Sequence, residues 1–357
     1  MCLFLQRRKW GTRKVVKTVA IVSLSSGLLG EDTVKHELEL GVRRLEAYGV
    51  KVKFMNHALS GLQFIQEHPE KRAEDLLQAF RDPEVDMILC AIGGDDTYRL
   101  LPYLLEHDEL KRVVCPKIFM GFSDTTMNHF MLHQVGLNTF YGQSFLADVC
   151  ELDNDMLPYS KKYFEELLAT GQIKEIVPSD VWYECRTDYS KEQMGTSPEV
   201  HQNQGFQLLQ GAAVFSGPIF GGCIDTIFDM FDGERYADAP ILCQKYQLFP
   251  TVEQWKGKIL LLESSEEKML PEKYGKALSV LKNTGIFDVI NGILVGKPMD
   301  ETYYEEYKKV LVETINNPRL PIVYNINVGH ALPRCIIPFG VPAVVDVQQQ
   351  KIEFIYE

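Results

Sequence analysis

The chain has 357 residues, 45% of them apolar and 24% charged, with a formal net charge of −12 at neutral pH. This is the composition of a globular protein of about two domains, and the negative charge argues against a nucleic-acid polymer or an anionic membrane as partner. The eight cysteines are scattered (Cys2, Cys90, Cys115, Cys150, Cys185, Cys223, Cys243, Cys335) with no zinc-ligand spacing, so a reducing cytoplasm is expected. Residues 1–14 are basic and read as a loose extension. KTVAIVSLSS is too short for a secretory signal, has no small-residue exit, and reads instead as a first strand. No run is long enough to span a membrane.

From Val15 the pattern alternates. VVKTVAIVSLSS, VKVKFM, VDMILCAI and KIFMGF read as strands. TVKHELELGVRRLEAYG, AEDLLQAFRDP, TYRLLPYLLEH and TTMNHFMLHQVG read as the helices between them. Such alternation predicts a parallel sheet covered on both faces, with Ser25–Gly27, Gly93–Asp96 and Gly121–Thr125 gathered at one strand edge. Residues 15–150 therefore form an N-terminal α/β domain. Residues 151–205 hold one helix and a polar, aperiodic stretch, and are expected to act as a connecting or lid segment. Residues 206–357 form a second alternating domain, closed by a hairpin in PAVVDVQQQKIEFIYE.

Three stretches carry candidate chemistry. KIFMGFSDTT places Ser123 in a sharp strand-to-helix turn, where a hydroxyl stands clear and the Asp124 N–H can face an oxyanion. On this stretch alone Ser123 reads first as a helix cap, and Thr125 stands where a nucleophile elbow has glycine. ILLLESSEE puts Glu263 at the end of an apolar strand, and NINVGHALPR puts His330 just past another. A serine nucleophile needs such a base, and the base needs such an orienter. The glycines of AIGGDDTYRLL can bring backbone N–H groups close to an anion, either a nucleotide phosphate or an oxyanion. His129 and His133 have the i, i+4 spacing of metal ligands, but no third ligand is evident and they lie among core residues.

Taken in order, GGDDTYRLL, GFSDTT, GPIFGG, ILLLESSEE and VGHALPRCIIPFG resemble the LD-carboxypeptidase family of serine peptidases, over nearly all of residues 16–357. With NTFYGQSF, the spacing looks most like the branch of the microcin C self-immunity proteins. The resemblance implies a flavodoxin-like N-terminal domain, a swivelling β/β/α C-terminal domain, and a cytoplasmic homodimer with no metal or organic cofactor. It further implies Ser123 as nucleophile, His330 as general base, Glu263 as orienter, and Gly94 and Asp124 as oxyanion donors. The substrate is then a murein tetrapeptide or an aminoacyl nucleotide. Asp95 and Asp96 would disfavour a carboxylate-terminated substrate, and Trp182, Tyr183 and Tyr189 could stack on a base or make an interdomain contact. Cys223 replaces a frequent Asn and could alter a turn or a pocket hydrogen bond. The alternatives are a non-hydrolytic binder and a kinase-like protein using GGDDT.

Overall fold

The computed structural model describes residues 16–356; the expected extension 1–14 lies outside them. Five strands, Thr18–Val22, Lys51–Phe54, Met87–Cys90, Ile118–Gly121 and Phe140–Tyr141, form a parallel sheet. Its order, second-first-third-fourth-fifth, is the doubly wound flavodoxin-like one. Thr18–Val22, Met87–Cys90 and Ile118–Gly121 are buried throughout, as expected of strands covered by helices on both faces. Thr18–Val22 is thus an inner strand, as its apolar run predicts.

The second sheet has eight strands. Val214–Cys223, Ile259–Glu263, Gly292–Gly296 and Ile322–Ile326 run parallel at its centre. Antiparallel strands flank them: Gln207–Gln210 on one side, then Pro342–Asp346, Lys351–Phe354 and Glu175–Ile176 on the other. The ten-residue strand Val214–Cys223 pairs first with Pro342–Asp346 and then with Ile259–Glu263, with Cys223 opposite Glu263. The described residues therefore form a mixed α/β fold built on two large sheets.

Two crossings tie the sheets together. Ile337–Pro338 leaves the C-terminal region and pairs antiparallel with Phe140–Tyr141, becoming the sixth strand of the first sheet. Gly222 lies so close to the helix Thr126–Gln134 that a Cβ there would meet Thr126 Oγ1 at 2.5 Å. The segment 151–205 is more structured than its polarity suggests. It holds the helix Pro158–Thr170 and an antiparallel hairpin, Val181–Tyr183 with Val200–Gln202. That hairpin is fastened by the Tyr183 N–H to the Leu332 carbonyl at 3.0 Å, two residues beyond His330.

Candidate active site

The strand Ile118–Gly121 ends in an apolar interior, and the chain must turn at once to start the helix Thr126–Gln134. Ser123 makes that turn with φ 64°, a left-handed conformation that a side chain with a Cβ resists. No side chain caps the turn or the helix that follows, so Ser123 is not there as a cap. Its amide donates to the Tyr141 hydroxyl at 3.2 Å. Gly93 faces it closely: a Cβ on that glycine would lie 2.7 Å from Ser123 Cβ and 2.8 Å from Oγ. Gly94 packs against Ser25 in the same way.

The next residue pins the turn. The buried Asp124 carboxylate accepts hydrogen bonds from the Ser25 hydroxyl and, at 2.9 Å, from the Thr97 N–H. Burial pushes this carboxyl up to about 6, against the pull of those two donors. Ser26 N donates to the Gly93 carbonyl at 3.2 Å. The loops at 25, 93 and 124 thus meet at one sheet edge.

The other half of the site comes from the second sheet. Glu263 is almost completely buried at the end of its strand. Its Oε2 meets His330 Nδ1 at 2.8 Å and accepts the His330 amide at 3.2 Å. This approach requires Gly329 (φ 87°), where a Cβ would fall 2.2 Å from Glu263 Oε2. Arg334 holds the same loop. It donates to the carbonyls of Gly329 at 2.6 Å and His330 at 3.2 Å, and pairs with the buried Asp148 at 3.0 Å. Phe122 packs edge-on against the His330 ring, centroids 5.0 Å apart.

Tyr141 joins the halves. Its hydroxyl donates to Glu263 Oε1 at 2.6 Å while receiving the Ser123 amide. Burial, reinforced by the Glu263 charge, holds the phenol well above its ordinary range, so it stays a donor. Ser123, Glu263 and His330 are therefore brought together. Among the described residues, however, His330 Nε2 contacts Glu266 Oε2 at 2.9 Å and makes no hydrogen bond to Ser123. Burial alone would lower the His330 pKa. The Glu263 charge and hydrogen bond, with Glu266 on the other nitrogen, raise it instead to about 10. Glu266 is correspondingly lowered to about 2, first by its hydrogen bond to His330.

The two acidic residues after Gly94 part company. Asp95 is exposed and accepts from the Tyr236 hydroxyl at 2.9 Å. Asp96 is buried, 2.5 Å from the fully buried Arg72, so its charge is neutralised inside the fold rather than offered to a ligand. Trp182 is stacked on His201 at 4.3 Å, with the Lys297 ammonium 5.0 Å from its ring centre. Tyr183 is half-buried, and the Tyr189 carbonyl lies 3.0 Å from His36 Nε2.

Metal-ligand types occur together at Cys223, Glu263 and His330, within 4.8 Å of one another. Their groups already have uses: Glu263 and His330 bond each other, and burial pushes the Cys223 thiol far up while its Sγ rests 3.6 Å from Asp225. His129 is a core histidine, placed between Thr139 Oγ1 (2.7 Å) and the Gly121 carbonyl (3.1 Å) and held neutral by burial. His133 stacks on Phe220.

Sequence reading missed Tyr141, Arg72, Arg334 and Glu266. Two were visible as oddities. Arg72 and Asp75 are charges on the buried face of the amphipathic helix Pro69–Arg81, and Glu266 is one of two acids directly after Glu263-Ser-Ser.

Comparison with known proteins identifies the family and the fold. Residues 19–142 match the LD-carboxypeptidase N-terminal domain, and residues 216–345 match the LD-carboxypeptidase C-terminal domain. The microcin C7 self-immunity protein MccF of Escherichia coli is 23% identical over 90% of this chain and 88% of its own. The murein tetrapeptide carboxypeptidase of Pseudomonas aeruginosa is 31% identical over 29% of this chain and 34% of its own. The crystal structure of an MccF-like protein from Streptococcus pneumoniae, in complex with AMP, superposes with a TM-score of 0.95 at 62% identity. That match covers 96% of this chain and 99% of the other.

Proposed function

This chain belongs to the LD-carboxypeptidase family, and on that premise we propose that it is a serine amidohydrolase whose substrate is an aminoacyl nucleotide. The observation that carries the reading is the Tyr141 hydroxyl, bonded at once to the Ser123 amide and to the carboxylate that orients His330. A buried carboxylate on Nδ1 of a histidine, beside a serine held in a left-handed turn, is the arrangement a covalent acyl transfer needs.

In the reaction, Ser123 attacks the carbonyl and His330 Nε2 takes its proton. The proton goes on to the leaving nitrogen, and water then releases the acyl group by the reverse relay. Glu263 fixes the ring and stabilises the imidazolium. The N–H groups of Gly94 and Asp124 serve the oxyanion, each worth roughly 3 kcal/mol of barrier. No cofactor enters these steps. The strain at Ser123 holds Oγ where the substrate arrives.

The substrate class rests on the AMP held by the similar pneumococcal protein. The base would lie by the hairpin carrying Trp182 and Tyr183, docked on the His330 loop, and Trp182 would exchange His201 for the base. The muropeptide reading is kept as the second arm of the test. Wild type and Ser123→Ala are incubated with an aminoacyl-sulfamoyl adenosine and with an L,D-tetrapeptide, and products are identified by mass spectrometry. Free amino acid from the nucleotide, in wild type alone, supports the proposal. D-Ala release in wild type alone moves the substrate to the muropeptide, and cleavage by neither removes the triad assignment.

A further inference from the structure

Glu266 occupies a place that the chemistry must vacate. Its Oε2 lies 2.9 Å from His330 Nε2, the nitrogen that has to face the serine hydroxyl. The Glu266 side chain is 61% exposed, so it is free to swing, whereas His330 is buried and locked on Glu263. When Nε2 turns to Ser123, Glu266 loses its positive partner. Arg235 is a further positive group that acts on it. Asp225 is buried, its carboxylate accepting the amide of Ser265, one residue before Glu266, at 3.0 Å, and Glu267 follows directly in the chain. The nearby Arg235 is committed to Glu267 at 2.5 Å and Asp229 at 3.8 Å. A cation brought in by the ligand can then take the place of His330 as the partner of Glu266.

Distance says where that cation sits. The serine oxygen must come within about 3 Å of Nε2 and of the scissile carbon. Glu266 Oε2, resting on the same nitrogen, is therefore within reach of a group one or two bonds from that carbon. In an aminoacyl substrate this group is the α-ammonium.

Building on the triad reading above, we propose that Glu266 is a specificity residue: it leaves His330 to pair with the free α-ammonium of the acyl group, selecting aminoacyl over N-blocked acyl substrates. Binding of the amine and uncovering of the base are then one event. A substrate without the charge leaves Glu266 on Nε2 and the base covered.

The test uses two ligands, alanyl-sulfamoyl adenosine and its N-acetyl form. Their binding is measured by calorimetry to the Ser123→Ala protein, which reads recognition without turnover. The free amine should bind about ten- to a hundredfold more tightly, the span expected of a charge-assisted hydrogen bond. Glu266→Gln in the same background should bring the ratio to within about twofold, and Glu266→Asp should retain part of it. A preference that survives Glu266→Gln overturns the proposal, as does its absence in the parent or failure of the free-amine ligand to bind. Turnover supplies the separation. In the otherwise wild-type enzyme, Glu266→Gln should lower kcat/KM for the free amine and leave or raise it for the N-acetyl ligand. If Ser123→Ala fails to abolish cleavage, the triad reading falls while the binding ratio still decides on Glu266.

Discussion

Tyr141→Phe removes one oxygen and is the sharpest probe of how the site is held. The hydroxyl is fully buried, donates to Glu263 Oε1 at 2.6 Å, and accepts from Ser123 N at 3.2 Å and Thr126 Oγ1 at 3.4 Å. Its loss deprives a buried carboxylate of a charge-assisted bond, worth about 1.5–3 kcal/mol, and leaves the Ser123 amide without an acceptor, at about 1–3 kcal/mol. Allowing for relaxation, the fold should lose roughly 3 kcal/mol, read as a fall in urea midpoint. Glu263 should then bind His330 less rigidly but with a barer charge. We expect kcat/KM to drop by about ten- to a hundredfold, about 1.4–2.8 kcal/mol of barrier. KM should change little and the pH profile should move upward, because a less solvated carboxylate favours the imidazolium more. A Tyr141→Phe protein with wild-type midpoint and kcat/KM within twofold would refute the bridge.

Ser123→Gly should be inactive yet more stable than Ser123→Ala by about 1 kcal/mol, because only glycine takes φ 64° without strain; equal denaturation midpoints would deny the strain. Gly329→Ala should cost roughly 2–4 kcal/mol and at least tenfold in kcat/KM, as its Cβ would lie 2.2 Å from Glu263 Oε2; both are read from unfolding and steady-state kinetics. Asp96→Asn should cost about 3–5 kcal/mol by stranding the buried Arg72, whereas Asp95→Asn should leave thermal stability unchanged and shift ligand preference; like behaviour of the two would contradict the division. His330, raised to about 10, contributes stability that is fully present below its unfolded value of about 6.5 and lost as pH rises through about 10. Midpoints across that window should fall in wild type and stay flatter in Glu263→Gln.

What the sequence made legible was periodicity and position. Apolar runs of strand length alternating with amphipathic helices place Ser25, Gly93 and Asp124 at one edge, because right-handed crossovers leave no other arrangement. The same logic puts Glu263 and His330 at the ends of two parallel strands of the second sheet, with Gly292–Gly296 between them. What stayed hidden was pairing across the chain. Nothing local marks Asp96 as the partner of Arg72, 24 residues earlier, so two adjacent aspartates read alike although one is neutralised and the other exposed. Tyr141 shows only as one aromatic in a short strand; its contact with Glu263 spans 122 residues. The two-residue strand Ile337–Pro338 contains a proline, and only an edge position accommodates it. Glu266 belongs to no element, and a turn does not announce where its side chains rest.

The strained serine shows why such long-range contacts are needed. A non-glycine residue in the left-handed region persists only where its neighbours leave it no alternative. Here the turn is held from three directions: Asp124 by Ser25 and Thr97, the Ser123 amide by Tyr141, and the flank by Gly93, whose missing side chain makes the room. The base is held by a separate set, Glu263, Gly329 and Arg334. Each set is rigid by itself, and Tyr141 is the hydrogen-bonded link from Ser123 to Glu263. The distance from serine to base is therefore set by how the two sheets meet, while Glu266, on an exposed turn, decides whether the base is free to use it. On the proposed reading, two well-held halves with one exposed carboxylate between them let the site discriminate at the amine without loosening Ser123.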